Sequence, residues 1–368
     1  MTEQRIVVID NGSYKLKCGY AGDEYPISYR STVIYESKLK STHNAIGTTS
    51  ILGPNGLRQL KRPMEHRYKP DYDGLEQIWR KTFDETLKID TRERDVIMTE
   101  VSLNPKINRE KTCEIMFEEF DIGRFFLGNQ SVFSLFATGS ESGIVINSGF
   151  EATNVVPIVD GMSVPNATQL SMIGGNDVTN YMMYLLAKEG FHPKNYAEFR
   201  LFNMAKDEQC FFKDFAFANS LRPNQKRENM ETSFNRGYYE EIKLGDIATQ
   251  CPEVIFKPSL MTKDVKPIHQ LFVDSYNSIG DNLKDKCSFN IVLSGANTMI
   301  GGFAKRLDTE VYGLTKTHFH FKAPKQRDLL SWIGASIFAS TDNMESQWIT
   351  SGEYLDSGPQ IINRKCLM

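Results

Sequence analysis

A chain of 368 residues, 40% hydrophobic and 11% aromatic, can bury a large core, and single cores stop growing near roughly 250–300 residues, so two lobes are expected. Lys and Arg total 43 and Asp and Glu 46, a net charge of −3, which gives no general attraction for nucleic acid or an anionic membrane and makes protein or a small molecule the expected partner. No apolar h-region opens the chain, no run of about 18 apolar residues occurs, and Cys18, Cys113, Cys210, Cys251, Cys287 and Cys366 form no CxxC pair; zinc and membrane insertion are not expected, and a soluble intracellular protein with reduced thiols is.

Residues 5–20 (RIVVIDNGSYKLKCGY) read as an apolar strand, an Asp-Asn-Gly-Ser turn and a returning strand. The segment 37–61, rich in Ser, Thr, Asn, Gly and Lys, reads as a mobile insertion outside the core. Asp73 is placed to cap a helix whose Leu75, Ile78, Trp79 and Phe83 recur at helical spacing, with Glu76 completing a capping box. Residues 143–159 (GIVINSGFEATNVVPIV) repeat the strand, turn and strand of the amino terminus, which suggests a duplicated α/β lobe. A helix is predicted over 177–188, stopped by Gly190, and the polar run 222–237 reads as an exposed connection. A third glycine turn, in IVLSGANTMIGGF, ends a buried strand and leads into a helix over 304–314. His318 and His320 fall on one face of a predicted strand; a solvated edge strand accounts for them better than a metal site does. Strands alternating with helices imply sheets covered by helices, an α/β fold.

A short turn between strands exposes backbone N–H groups that cradle phosphate oxygens without side-chain interference. Gly12 and Ser13 supply such a turn. Asp10, just before it, would repel phosphate, so its expected role is to hold the waters of a Mg²⁺ that neutralises the phosphates; Lys17, on the return strand, adds a positive charge. A single hairpin of this kind is more often an ordinary turn. A second hairpin and a third glycine turn move the balance toward a phosphate site.

The segments IDNGSYKLKCGYAGDE, LNPKINREK, IMFEEF, GIVINSG, CPEVIFKPSL, VLSGANTM, WIGASI and EYLDSGPQIINRKC resemble actin-family segments, in actin order, across nearly the whole chain. The resemblance implies the actin-like ATPase fold, two similar lobes of two subdomains each around a nucleotide cleft. The first lobe would comprise 1–137 and 330–368, with subdomain two at about 32–62. The second would comprise 138–329, with subdomain three at about 138–173 and 264–329 and subdomain four at about 174–263. It also implies ATP or ADP as ligand, with Mg²⁺ or Ca²⁺. Aligned on the family's motifs, Asp10 matches the metal-side aspartate, Gly12, Ser13, Tyr14 and Lys17 the first phosphate loop, Ser148 and Gly149 the second, and Gln130 the glutamine that orients attacking water. Gly175, Gly295, Ala296 and Met299 match the nucleoside pocket, and Lys206 and Asp207 fall where a lysine and a glutamate face adenosine. Without the resemblance, Lys206 reads as a solvated helix charge.

Several departures bear on mechanism. The family's second-loop aspartate is Asn147 here, its next acidic position is Phe150 and its catalytic-side histidine is Asn154. Each carboxylate about 5 Å from a divalent cation contributes on the order of several kcal/mol of gross attraction at an effective dielectric near 20, most of which an amide forfeits, leaving Asn147 a weak contact through water. Loss of the histidine removes a proton relay, so weak or absent hydrolysis is expected. Tyr14 stands where the family has glycine and must point away or crowd the phosphate entrance; Ile300 replaces a tyrosine beside adenine and Asp328 a lysine nearby. Lys263 and Asp264 stand where the family's plug is apolar, the loop over 33–66 is shortened, and Thr341, Asn343 and Gln347 place polarity in a groove that keeps Ile337 and Trp348. Ordinary homofilaments are therefore not expected. Cys366 matches an exposed, oxidisable family cysteine. The implied role is a structural subunit of a multiprotein assembly, partnered by other actin-fold subunits, in the cytoplasm and its cytoskeleton; a chromatin complex, a cilium and a polymerising ATPase are the alternatives.

Overall fold

The computed structural model describes residues 5–37, 45–46, 58–64, 70–191, 196–212, 244–341 and 344–368; most of the insertion read over 37–61, the connection over 222–237, His66 and Asn343 lie outside the described residues. The chain divides into two compact units, one of Met1–Ser142, Ile158–Pro165 and Leu329–Met368, the other of Gly143–Pro157 and Asn166–Asp328. Both are built from sheet and helix.

The first unit carries a sheet ordered Ile349–Thr350, Arg124–Asn129, Asp95–Glu100, Val7–Asn11, Lys15–Tyr20 and Ser28–Ser31. Its three central strands run parallel, Val7 beside Val96 and Val96 beside Phe125. Parallel strands are covered on both faces, which is why VVI and VIM are unbroken apolar runs and are wholly buried. Two indoles anchor the covering layers to this sheet, Trp332 Nε1 donating to Val8 O (3.2 Å) and Trp79 Nε1 to Asn11 Oδ1 (3.3 Å). Helix Leu330–Ala339 lies so close to helix Gln130–Phe136 that a Cβ on Gly334 would stand 1.7 Å from Phe133 O.

The helix read from Asp73 spans Tyr72–Lys81, continues as a π-helical turn over Thr82–Leu87, and buries Leu75, Ile78, Trp79 and Phe83. Its capping box does not form. Asp71 holds the N-cap position while its carboxylate pairs with Lys61 (2.9 Å), and Glu76 pairs with Arg80 one turn on (2.8 Å). Asp73 is left in the first turn, where its charge suits the helix dipole.

The second sheet is ordered Met162–Ser163, Thr153–Val159, Gly143–Ser148, Ile291–Ser294 and Phe321–Lys322, with Gln169–Ser171 also paired to Thr153–Val159. The predicted second hairpin is present. Helix Gly175–Lys188 begins two residues before the predicted start, because Gly174 N–H donates to Asp177 Oδ2 (2.9 Å) and fixes the first turn; Gly190, at φ +90°, ends it. After Ile291–Ser294 a 3₁₀ turn, Ala296–Met299, precedes helix Phe303–Thr315.

Two further expectations are corrected. His318 and His320 are not on a strand: Asp308 captures the His318 ring (2.8 Å) and Phe319 N–H (3.0 Å), His318 stacks on Tyr312, and pairing resumes only at Phe321. Cys366 is buried at 1% exposure, where its sulfur accepts from Leu127 N–H (3.4 Å) and burial pushes the thiol up to about 12. The cause is Arg109, which donates to Cys366 O and to Asn363 Oδ1 and draws the terminal segment onto helix Lys106–Glu118. No helix among the described residues is long and apolar enough to cross a membrane.

Candidate functional site

Parallel strands deliver their carboxyl ends to one edge of a sheet, and chemistry gathers there. In the first unit, strands Val7–Asn11, Asp95–Glu100 and Arg124–Asn129 end together, which brings Asp10 beside Thr99 and beside Gln130, the first residue after Asn129. Asp10 Oδ1 accepts from Thr99 Oγ1 (2.6 Å) and Gln130 Nε2 (3.0 Å); Asp10 Oδ2 accepts from Lys17 Nζ (2.5 Å), its cross-strand neighbour in the hairpin. Burial pushes the Asp10 carboxyl up, but the Lys17 ammonium and the hydrogen bonds from Lys17, Thr99 and Gln130 together outweigh it and hold the group below its ordinary value.

Three of the residues picked from the sequence, Gly12, Ser13 and Tyr14, form the turn next to this cluster. Gly12 N–H donates to Asp10 O (3.0 Å), and the tip is tied down by Thr32, whose hydroxyl donates to Gly12 O (2.7 Å) and whose N–H donates to Tyr14 O (3.0 Å). Ser13 is half-buried in that tip. The Tyr14 ring turns to the cations Lys15 and Arg62, each 5.8 Å from its centroid, which is where the bulk of a side chain at this glycine position goes.

The second unit repeats the device. Asn147, next to the end of its strand, pairs with Ser294, and the turn Gly149, Phe150, Glu151, Ala152 closes through Gly149 N–H to Ala152 O (2.9 Å). The amino end of helix Gly175–Lys188 rests on that turn: Gly175 N–H donates to Gly149 O (2.9 Å) and Asn176 N–H to Phe150 O (2.9 Å). Gly295 must be glycine, since its φ is +89° and a Cβ would lie 2.3 Å from Ser148 O. By contrast a Cβ on Gly149 would meet only Ala152 O at 3.6 Å, so space is open over this turn, as a ligand's close approach requires.

Lys206 is not the solvated charge that its sequence position suggests. It is 6% exposed, and its ammonium donates to Asn203 Oδ1 (3.1 Å), Thr179 Oγ1 (3.2 Å) and Gly175 O (3.3 Å). Asp207 stands 3.8 Å from it with a 65% exposed side chain. Met299 is half-buried, Ala296 is exposed, and Ile300 is 7% exposed. Asn147, Phe150 and Asn154, where the resemblance predicts acids and a histidine, are all buried.

Two residues of this arrangement, Thr99 and Asn297, carry no signal of their place in the sequence, and a third, Lys263, carries a different one. Thr99 is the last residue but one of an apolar strand, and only the pairing of Val7–Asn11 with Asp95–Glu100 places it against Asp10. Asn297 donates from Nδ2 to Gly149 O (2.8 Å) and Ser148 Oγ (3.2 Å), though it sits inside the glycine segment that the sequence did single out. Lys263 was read as a disruptive charge, yet its ammonium pairs with Asp177 and donates to Met172 O (3.3 Å), joining its loop to the start of helix Gly175–Lys188.

Donor chemistry decides what these groups can hold. Among the described residues no group of three His, Cys, Asp or Glu could cage a metal. Both oxygens of Asp10 are already hydrogen-bonded, which suits a hard cation held through its own water shell and by phosphates rather than by protein ligands. The open turn at Gly149 and the buried ammonium of Lys206 beside Gly175 suit the phosphates and nucleoside of a nucleotide. A family model described as Actin matches residues 1–367 of the chain.

Proposed function

Because this chain belongs to the actin family, we propose that it is a nucleotide-binding structural subunit of a cytoskeletal or other multiprotein assembly, with weak or absent ATP hydrolysis and little tendency to form ordinary homofilaments. ATP or ADP with Mg²⁺ or Ca²⁺ is the ligand this reading assigns. When bound, the cation supplies the charge that neutralises the phosphates. Asp10 would order water around it, Lys17 and the backbone N–H groups of the Gly12 turn would face anionic oxygens, and Gln130 would position water: its amide nitrogen is committed to Asp10 (3.0 Å), which leaves its carbonyl oxygen to accept a hydrogen bond from water.

The observation that carries the reading is the second turn. Asn147 and Asn154 place buried amides, and Phe150 a buried ring, where a hydrolytic site would gather charge and a proton relay. Amides neither take up the proton of an attacking water nor attract a divalent cation as carboxylates do. Lys263 supports the second half of the proposal, since an ammonium paired with Asp177 does not offer the apolar insertion on which a homofilament contact would rest.

The test is the nucleotide content of the purified protein together with single-turnover ATP hydrolysis at dilute and concentrated protein. Tightly bound ATP or ADP with negligible hydrolysis at any concentration is expected. Hydrolysis that rises with concentration would replace this reading with that of a polymerising ATPase in which Asp10 and Gln130 suffice.

A further inference from the structure

A chain of four hydrogen bonds runs behind the second turn, and the two carbonyls at its ends fix its direction. Gly149 O can only accept, so the Asn297 side-chain atom 2.8 Å away is the amide nitrogen, and that same nitrogen donates to Ser148 Oγ (3.2 Å). Ile173 O can only accept, so the Thr153 hydroxyl, 2.8 Å away, spends its hydrogen there. Ser148 Oγ lies 2.8 Å from Thr153 Oγ1 and must therefore be the donor of that pair. Every proton is committed. Asn297, Ser148 and Thr153 are 4%, 0% and 0% exposed, so water does not compete for these bonds.

We propose that Asn297 is the positioning residue of the phosphate-binding turn, and that the Ser148 hydroxyl faces inward, so that the turn meets phosphate with backbone N–H groups and not with a serine side chain. The proposal rests on the nucleotide-binding reading above. A phosphate oxygen needs a donor, and the one hydrogen of the Ser148 hydroxyl is held by Thr153. The Asn297 amide does the placing: it fixes Gly149 O, which also receives Gly175 N–H (2.9 Å), and so sets the turn and the first residue of helix Gly175–Lys188 in one frame. The other end of that amide is equally confined, since a Cβ on Gly175 would lie 2.7 Å from Asn297 Oδ1. A one-atom change of reach at position 297 therefore moves the turn.

The test compares the wild-type full chain with Asn297→Ala, Asn297→Ser and Ser148→Ala, measuring ADP and adenosine affinity by calorimetry and ligand-free amide exchange over residues 149–154 and 175–176. Asn297→Ala should lower ADP affinity about tenfold while adenosine affinity stays within about twofold, with faster exchange in both segments. Asn297→Ser, which keeps one donor, should recover part of both effects. Ser148→Ala should lose no more ADP affinity than Asn297→Ala. A larger loss in Ser148→Ala would mean that its hydroxyl faces the ligand, and unchanged exchange in Asn297→Ala would mean that the turn holds itself; either overturns the proposal. Equal loss of ADP and adenosine affinity in Asn297→Ala would also overturn it, by reducing Asn297 to a packing residue. If wild type bound no ADP, the nucleotide reading would fail, and the exchange comparison alone would still decide whether Asn297 sets the turn.

Discussion

Glu100 ends the strand that carries Thr99, and its buried carboxylate takes Arg109 Nε on both oxygens (2.9 and 3.1 Å) and Asn104 Nδ2 on one (3.0 Å). Burial wins nonetheless, raising the carboxyl from 4.5 to about 7 against the pull of Arg109 and Asn104. A raised folded value means that the native state binds the proton more tightly than the unfolded chain does. The stability this contributes is present below about 4.5 and lost as pH rises through about 7. Glu100→Gln removes that titration, so its deficit relative to wild type should shrink by as much as about 3 kcal/mol between pH 4.5 and 7.5, read from urea unfolding at several pH values; a deficit that is flat with pH would mean that Arg109 keeps Glu100 ionised throughout. Asp10 has the opposite sign. Its carboxyl is held below 3.8, so its contribution is present above that value and lost as pH falls through the folded one. Lys17→Met removes the main counterweight to burial and leaves a buried charge, which should cost about 3 kcal/mol at neutral pH and shift acid unfolding to higher pH. Circular dichroism along an acid titration checks both, and an unmoved midpoint would assign the Asp10 charge to Thr99 and Gln130 alone.

Elements explain why some of the candidate site was legible in the sequence and some was not. Asp10, Gly12, Ser13 and Lys17 belong to one hairpin, and a hairpin is a local object whose turn residues announce it. Thr99 and Asn297 are placed by parallel pairing across 89 and about 150 residues, and no local pattern carries that register. Lys206 taken without the family's motif reads as solvated for a related reason: helical position says which residues share a face, while Asn203, Thr179 and Gly175 O decide that this face is closed to solvent. The Asp73 cap failed because Lys61 competes for the Asp71 carboxylate and Arg80 for Glu76. Helix contact is equally invisible in the sequence, and Gly334 shows how tight it is. Gly334→Ala sets a methyl 1.7 Å from Phe133 O, on the helix that begins with Gln130. The two helices must part, which should cost about 2–3 kcal/mol and displace Gln130 from Asp10. A lowered urea midpoint accompanied by loss of any residual hydrolysis is the expected result, whereas a midpoint within about 0.5 kcal/mol of wild type would mean that the backbone yields without cost.

Across the whole molecule the cysteines report on each unit separately. Cys18, Cys113 and Cys366 lie in the first unit and Cys210, Cys251 and Cys287 in the second, and all six are buried as free thiols. Burial pushes Cys18 and Cys366 up to about 12 and raises Cys113 and Cys287 as well; for Cys251 a hydrogen bond with Cys210, whose sulfur is 3.2 Å away, leads and burial adds to it. Reaction with a disulfide reagent needs access to the sulfur, and all six sulfurs are buried in the native protein. Labelling should therefore proceed only through opening of a unit, slowly in buffer and completely in denaturant, with peptide mapping assigning each thiol to its unit. Cys210 N–H donates to Lys206 O (3.1 Å), so Cys210 shares a helical turn with the ammonium that holds Gly175. A nucleotide that engages Lys206 binds the closed form of that helix and should slow labelling of Cys210 and Cys251 by the factor 1 + [ADP]/Kd, about a hundredfold at a hundred times Kd. Prompt labelling of Cys366 without denaturant would restore the exposed cysteine that the sequence suggested. Labelling of Cys210 and Cys251 indifferent to saturating ADP would place the nucleotide away from Lys206.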